Sequence, residues 1–226
     1  MSTTLTPETA LTAPSGTSRV RAAIVSVILA AGAAAIAAVV LWQPWGERDH
    51  LSYADLAPHR DAMWWGTLID GLAFAAVGVT LAIAVCGLVP ARRGAALATV
   101  GAVLTGFGGV AFCAGMVAFG SLAWYVTDPG VVPPENGTTL MTYIEDNPGH
   151  VMGAQMAGFL LYTLGSLLLM AALWRARAVP RWLPIGYLLL TVGLFALDGV
   201  ALNIVQAAQT LLLVPIAVYA VRAAKP

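Results

Sequence analysis

Charge is what this chain has least of. Only 10% of its 226 residues are Asp, Glu, Lys or Arg, where a soluble domain carries about 25%. Lysine occurs once, as Lys225. With 59% of the residues hydrophobic, polar groups are too few to cover a water-soluble globule of this size. The formal net charge is zero, so the bulk attraction that a nucleic-acid partner needs is missing. Cysteine is scarce too. Cys86 and Cys113 each sit in an apolar stretch and read as small buried hydrophobes, not as a disulfide framework. The three histidines, His50, His59 and His150, have no metal-binding spacing, and neither a phosphate-binding loop nor a Ser/His/Asp order occurs. The sequence therefore implies no metal and no cofactor.

What the chain does have is long apolar runs. Ala22 to Trp42 is apolar over 21 residues, enough to cross a hydrocarbon core about 30 Å thick at about 1.5 Å per residue. Similar runs predict helices over 64–89, 95–125 and 151–174. Residues 183–221 span 39 positions, nearly twice what one crossing takes at roughly 20 residues. They divide at Asp198-Gly199 into 183–197 and 200–221, with Pro215 kinking the latter. The expected fold class is all-α, a bundle of six transmembrane helices within 19–222. Residues 1–18 form a disordered cytoplasmic tail and 223–226 a short cytoplasmic one.

The few charges carry the topology. Nine of the eleven basic residues fall in four clusters: Arg19/Arg21, Arg92/Arg93, Arg175/Arg177/Arg181 and Arg222/Lys225. Basic loops stay on the cytoplasmic side, so six crossings put every cluster and both termini inside. A five-helix reading strands Arg222 and Lys225 outside. The expected location is the plasma membrane, with the larger loops 43–63 and 126–150 extracytoplasmic. Trp42, Trp45, Trp64 and Trp65 mark the outer boundary, since tryptophan favours the headgroup layer. Ser52-Tyr-Ala-Asp55 has the form of a helix start with a serine cap. In the second loop, Pro129, Pro133 and Pro134 predict an irregular first half, followed by one amphipathic helix over 138–146. Asn136-Gly-Thr138 matches a glycosylation acceptor and reads more simply as an Asn-Gly turn.

Two patterns point inside the bundle. Gly94, Gly101, Gly108 and Gly115 recur at seven residues, which keeps them near one face of the third helix. Small residues let helix backbones approach in lipid, so this face is predicted to pack within the chain or to form a dimer face. Gly71/Gly78 and Gly158/Gly165 repeat a Gly-x6-Gly start in two hairpins, consistent with a parallel duplication. The second pattern is polar. An aspartate at the centre of a spanning helix costs about 2.5–3.5 kcal/mol, which singles out Asp70 and Asp198. With Gln155, Asn203 and Gln206 they form the candidate ligand-binding pocket, in the outer half of the membrane. Interhelical hydrogen bonds are the alternative reading of the same side chains.

The basic tail, the Trp-flanked outer segment, the Pro-rich second outer loop and the turn Trp-Arg-Ala-Arg-Ala-Val-Pro-Arg-Trp at 174–182 together resemble a family of uncharacterised multi-pass membrane proteins of actinobacteria. The resemblance covers most of 19–222 and is one of architecture. It implies the fold and carries no functional motif. Three functions stay open. The first is a non-catalytic accessory, sensory or immunity-type protein whose partners are the bilayer and a membrane protein or a second copy. The second is a small-solute permease or channel using the polar pocket. The third is an intramembrane enzyme with Asp70 and Asp198 as an acid/base pair.

Overall fold

A computed structural model of the chain describes residues 16–44, 52–91 and 93–224. The expectations for 1–15, Trp45, His50, Arg92 and Lys225 lie outside the described residues. Of the described residues 86% are helical, and no strand occurs among them. In chain order the helices are α1 (Gly16–Leu41), α2 (Tyr53–Leu56), α3 (Arg60–Leu88), α4 (Ala95–Val126), α5 (Pro134–Asp146), α6 (Pro148–Val151), α7 (Gly153–Ala176), α8 (Trp182–Ala196), α9 (Gly199–Leu211) and α10 (Val214–Ala223). A 3₁₀ turn, Ala57–His59, joins α2 to α3.

Among the described residues five segments are long and apolar enough to cross a membrane: Arg19–Leu41, Tyr53–Leu88, Ala95–Val126, Gly153–Ala176 and Gly199–Ala223. The apolar helix α8, at 15 residues, is shorter than the roughly 20 that a full crossing takes. Large apolar side chains point outward along the bundle, among them Val27, Val103, Phe107, Leu189 and Phe195. This is the arrangement of a surface solvated by lipid, where an exposed hydrophobe carries no penalty.

The bundle is organised about α4. Helices α3 and α7 pack along it on two sides, α1 leans on α3, α9 and α10, and α8 touches α7 and α9. Glycine sets the α4 seams. A Cβ at Gly101 would lie 2.8 Å from the Gly165 carbonyl oxygen, and one at Gly108 or Gly115 would overlap the backbone nitrogen of Tyr162 or Gln155. The seven-residue glycine series therefore addresses α7, with Gly94 meeting Ala172 at its end. On the other seam, a Cβ at Gly78 would come within 2.7 Å of the Thr105 carbonyl oxygen. The two Gly-x6-Gly pairs thus have a common packing cause: each provides a flat strip for α4.

Several boundaries differ from the sequence expectation for identifiable reasons. Helix α5 begins at Pro134, not at Thr138, because proline at the first helical position has no N–H to leave unbonded. Asn136-Gly137 is consequently helical and not a turn, and Gly137 lies under the Tyr53 ring. Pro215 does more than kink the last span. The helix stops at Leu211 and restarts at Val214, since proline removes an amide donor and crowds the carbonyl four residues back. Cys86 is exposed, not buried.

One end of the bundle carries a cap. Ser52 caps α2, accepting from the Asp55 amide at 3.3 Å and donating to its carboxylate at 2.7 Å. Leu56, Met63, Phe119, Ala123, Val126, Met141 and Ile144 bury against one another beneath α2 and α5. Arg60 ties this cap down. Its guanidinium lies 2.8 Å from the Asp128 carboxylate and 4.9 Å from the centre of the Trp124 ring. Trp124 donates its indole N–H to Asp61 at 2.7 Å. The Asp128 carboxyl is held below the ordinary carboxylate range, first by the Gly130 amide and then by Arg60. A carboxylate with a lowered folded value stabilises above its ordinary value of about 3.9 and loses that contribution as pH falls through the folded value. Asp128→Asn is therefore expected to lower the thermal midpoint in detergent at neutral pH. The gap to the wild type should close on acidification below about pH 3.9. A gap that stays constant with pH would show that the charge of Asp128 is not what holds the cap.

Candidate functional site

A cavity of about 370 Å³ opens at the capped end, between α1, α3, α4, α7 and α9. It arises from helical spacing. On α3, Met63, Gly66, Thr67 and Asp70 line it; on α4, Phe112, Met116 and Phe119; on α7, Gln155, Met156, Phe159 and Leu160, with Met152 just before its first residue. Within each set residues recur at three or four positions, with adjacent pairs at Gly66-Thr67, Gln155-Met156 and Phe159-Leu160, which keeps them on one face of a helix. Val39 and Gln43 close the wall from the end of α1, and Gln206 from α9. Met156 and Leu160, each more than half exposed, are the most exposed of its lining side chains.

Among the described residues Asp70 is the one ionisable side chain in this wall, and it is 1% exposed. The Gln155 side-chain oxygen is buried with no hydrogen-bond partner among the described residues. Gln43 accepts a hydrogen bond from the Asn203 amide at 3.3 Å. Below the cavity the bundle closes. The rings of Phe74 and Phe112 are centred 4.3 Å apart, and Phe74 meets Tyr162 at 5.2 Å. Beyond them Tyr187 donates to Ser166 at 2.9 Å, and Gln209 donates to Thr191 at 2.7 Å.

No protein-family model, no curated protein and no solved structure matches this chain.

Of the residues singled out from sequence, Asp70, Gln155 and Gln206 share the cavity wall. Asn203 does not line it but holds Gln43, which does. Asp198 lies elsewhere. It is exposed at the start of α9 and makes no side-chain capping bond. Eight residues of helix separate it from Gln206, about 12 Å along the axis. Asn203, Gln206 and Gln209 recur at three residues on α9 and fan out around it. Three residues turn a helix by about 300°, 60° short of a full turn, so Asn203, Gln206 and Gln209 face α1, the cavity and α8 in succession.

Sequence reasoning overlooked the methionines. Four of the chain's seven, Met63, Met116, Met152 and Met156, line this cavity. Met152-x-x-Gln155-Met156 was the available signal, a methionine pair at helical spacing beside a membrane-depth glutamine. Methionine fills irregular space with a flexible, polarisable side chain and recurs at binding surfaces that accept varied ligands.

Proposed function

We propose that this chain is a non-catalytic ligand-binding protein of the plasma membrane, sensory or accessory in role, and that the capped cavity is its binding site. The observation that carries the reading is the composition of that cavity: a wall of methionine and phenylalanine holding one buried carboxylate. Ligand pockets of about 300–1,000 Å³ combine an apolar wall with a few placed polar groups in this way. In this reading the chain crosses the membrane six times with both termini cytoplasmic, α8 being the short crossing. A short helix is accommodated by local thinning of the bilayer at a modest cost. The four basic clusters then share the cytoplasmic side, and the cavity opens in the outer half. The closed floor beneath Phe112 favours binding over conduction. An acid/base pair of Asp70 and Asp198 draws no support from the geometry, because Asp198 lies outside the cavity wall.

The test uses single cysteines in a background with Cys86 and Cys113 replaced by alanine. In intact cells, Met152→Cys should react with a membrane-impermeant maleimide, and Ala91→Cys, in the turn between α3 and α4, only after permeabilisation. Small hydrophobic solutes should slow the Met152→Cys reaction by occupying the cavity. Labelling of Ala91→Cys from outside would overturn the orientation, and labelling of Met152→Cys indifferent to every solute would overturn the binding reading.

A further inference from the structure

We infer that the ligand of this cavity is an uncharged aromatic alcohol, a lipid-soluble molecule of the phenol class whose hydroxyl donates to the side-chain oxygen of Gln155. The inference rests on the binding reading above and specifies its ligand. Three observations converge on it. First, the wall presents an acceptor that the chain leaves unmet. The Gln155 side-chain oxygen is buried, with no hydrogen-bond partner among the described residues. A buried acceptor without a donor is costly, so a ligand that supplies an O–H gains more here than at an exposed site. The Gln155 backbone is pressed on α4, where even a Cβ at Gly115 would overlap its amide nitrogen, so the acceptor is carried by a fixed segment of helix. Second, the polar part of the wall favours a neutral head. Asp70, the one ionisable side chain there among the described residues, is already engaged within the chain. A charged head would have to leave water for a site of low dielectric at a heavy desolvation cost, whereas a hydroxyl that finds an acceptor does not. Third, the body of the wall suits rings. Three phenylalanines and four methionines are seven of its fifteen lining residues. Phenylalanine gains from edge and offset contacts with another ring beyond the area buried, and thioether sulfur favours the edge of an aromatic ring. A saturated body would bury similar area and gain neither. Met156 and Leu160, the most exposed lining side chains, are apolar, which suits a ligand that arrives from the bilayer.

The test compares probes built on one fused-ring body and substituted at the same carbon. Naphthol carries both features, methoxynaphthalene lacks the O–H, and decahydronaphthol lacks the aromatic rings. Naphthoate and naphthylmethylamine add a charge of either sign. Binding to the full chain in zwitterionic nanodiscs is measured by calorimetry, with empty nanodiscs as the blank for partitioning. Naphthol should bind about fivefold more tightly than methoxynaphthalene, the factor one net hydrogen bond gives, and more tightly than the other three. Gln155→Leu removes the acceptor and should erase that preference, so that naphthol and methoxynaphthalene bind alike. If Gln155→Leu does not fold, the order of the probes on the wild type decides alone. A methoxy, saturated or charged probe as tight as naphthol, or a preference that survives Gln155→Leu, overturns the phenol inference. Protection of Met152→Cys by hydrophobic solutes would then leave the binding reading standing. If no probe binds and no solute protects Met152→Cys, both fall.

Discussion

Gly108→Leu is expected to unfold the α4–α7 pair. Even a Cβ at Gly108 would overlap the Tyr162 backbone nitrogen and come within 2.8 Å of the Gly158 carbonyl oxygen. The obstacles are main-chain atoms of a facing helix, so no side-chain rotation relieves the clash. Overpacking a core costs about 1–3 kcal/mol where side chains can yield, and more is expected where a whole helix must move. The reciprocal glycines offer no slack, since a Cβ at Gly158 would overlap the Phe112 nitrogen and one at Gly165 the Thr105 nitrogen. Gly106 provides the control. It lies on the same helix with nothing within 4 Å of its would-be Cβ, so Gly106→Leu should leave the thermal midpoint in detergent almost unchanged. Equal stability of the two variants would show that the seam is not set by backbone contact. Because Phe112 and Met116 on α4 face Gln155 and Phe159 on α7 across the cavity, Gly108→Leu should abolish ligand binding along with the fold.

Phe74→Ala is the second large effect. Phe74 is 4% exposed at the centre of the main core cluster, between Phe112 and Tyr162. Truncating a buried phenylalanine costs about 3–5 kcal/mol in a soluble core. In lipid, helices associate through packing without a hydrophobic drive, so the lower end, about 3 kcal/mol, is expected. The ring also lines a small void of about 10 Å³ shared with Tyr162, Tyr187, Gln206 and Gln209, near the size that holds one water. Removing it should leave a hole able to take benzene, as apolar cavities in proteins do. Added benzene should then restore part of the lost thermal midpoint, through binding to the folded state alone. A variant as stable as the wild type, or one insensitive to benzene, would show that the aromatic stack is not what closes the cavity floor.

Much of the architecture was legible because bilayer thickness acts on one dimension of the chain. An apolar run either is long enough to cross or is not, and α1, α3, α4 and α7 follow from that comparison. Where side chains compete with proline, the reading was coarser. Pro134 looked like an interruption and begins a helix, while Pro215 looked like a kink and divides one. The site was legible only in fragments. Asp70, Gln155 and Gln206 stood out as polar groups at membrane depth. The methionines did not, because a methionine in an apolar run carries no periodic or electrostatic mark.

The sequence alone determined that this is a helical protein with segments made for lipid, since composition and run length measure the balance of apolar surface against available polar cover. The tertiary structure alone decided which polar residues meet. Asp198 and Asp70 carry the same chemistry, each followed by glycine, yet one is exposed at the start of α9 and the other is sealed in a cavity wall. That difference depends on the rotation and approach of each helix. For α3, which carries Asp70, the approach to α4 is set by close backbone contact at Gly78 and Gly109, whose effect appears only when the partner helix is in place.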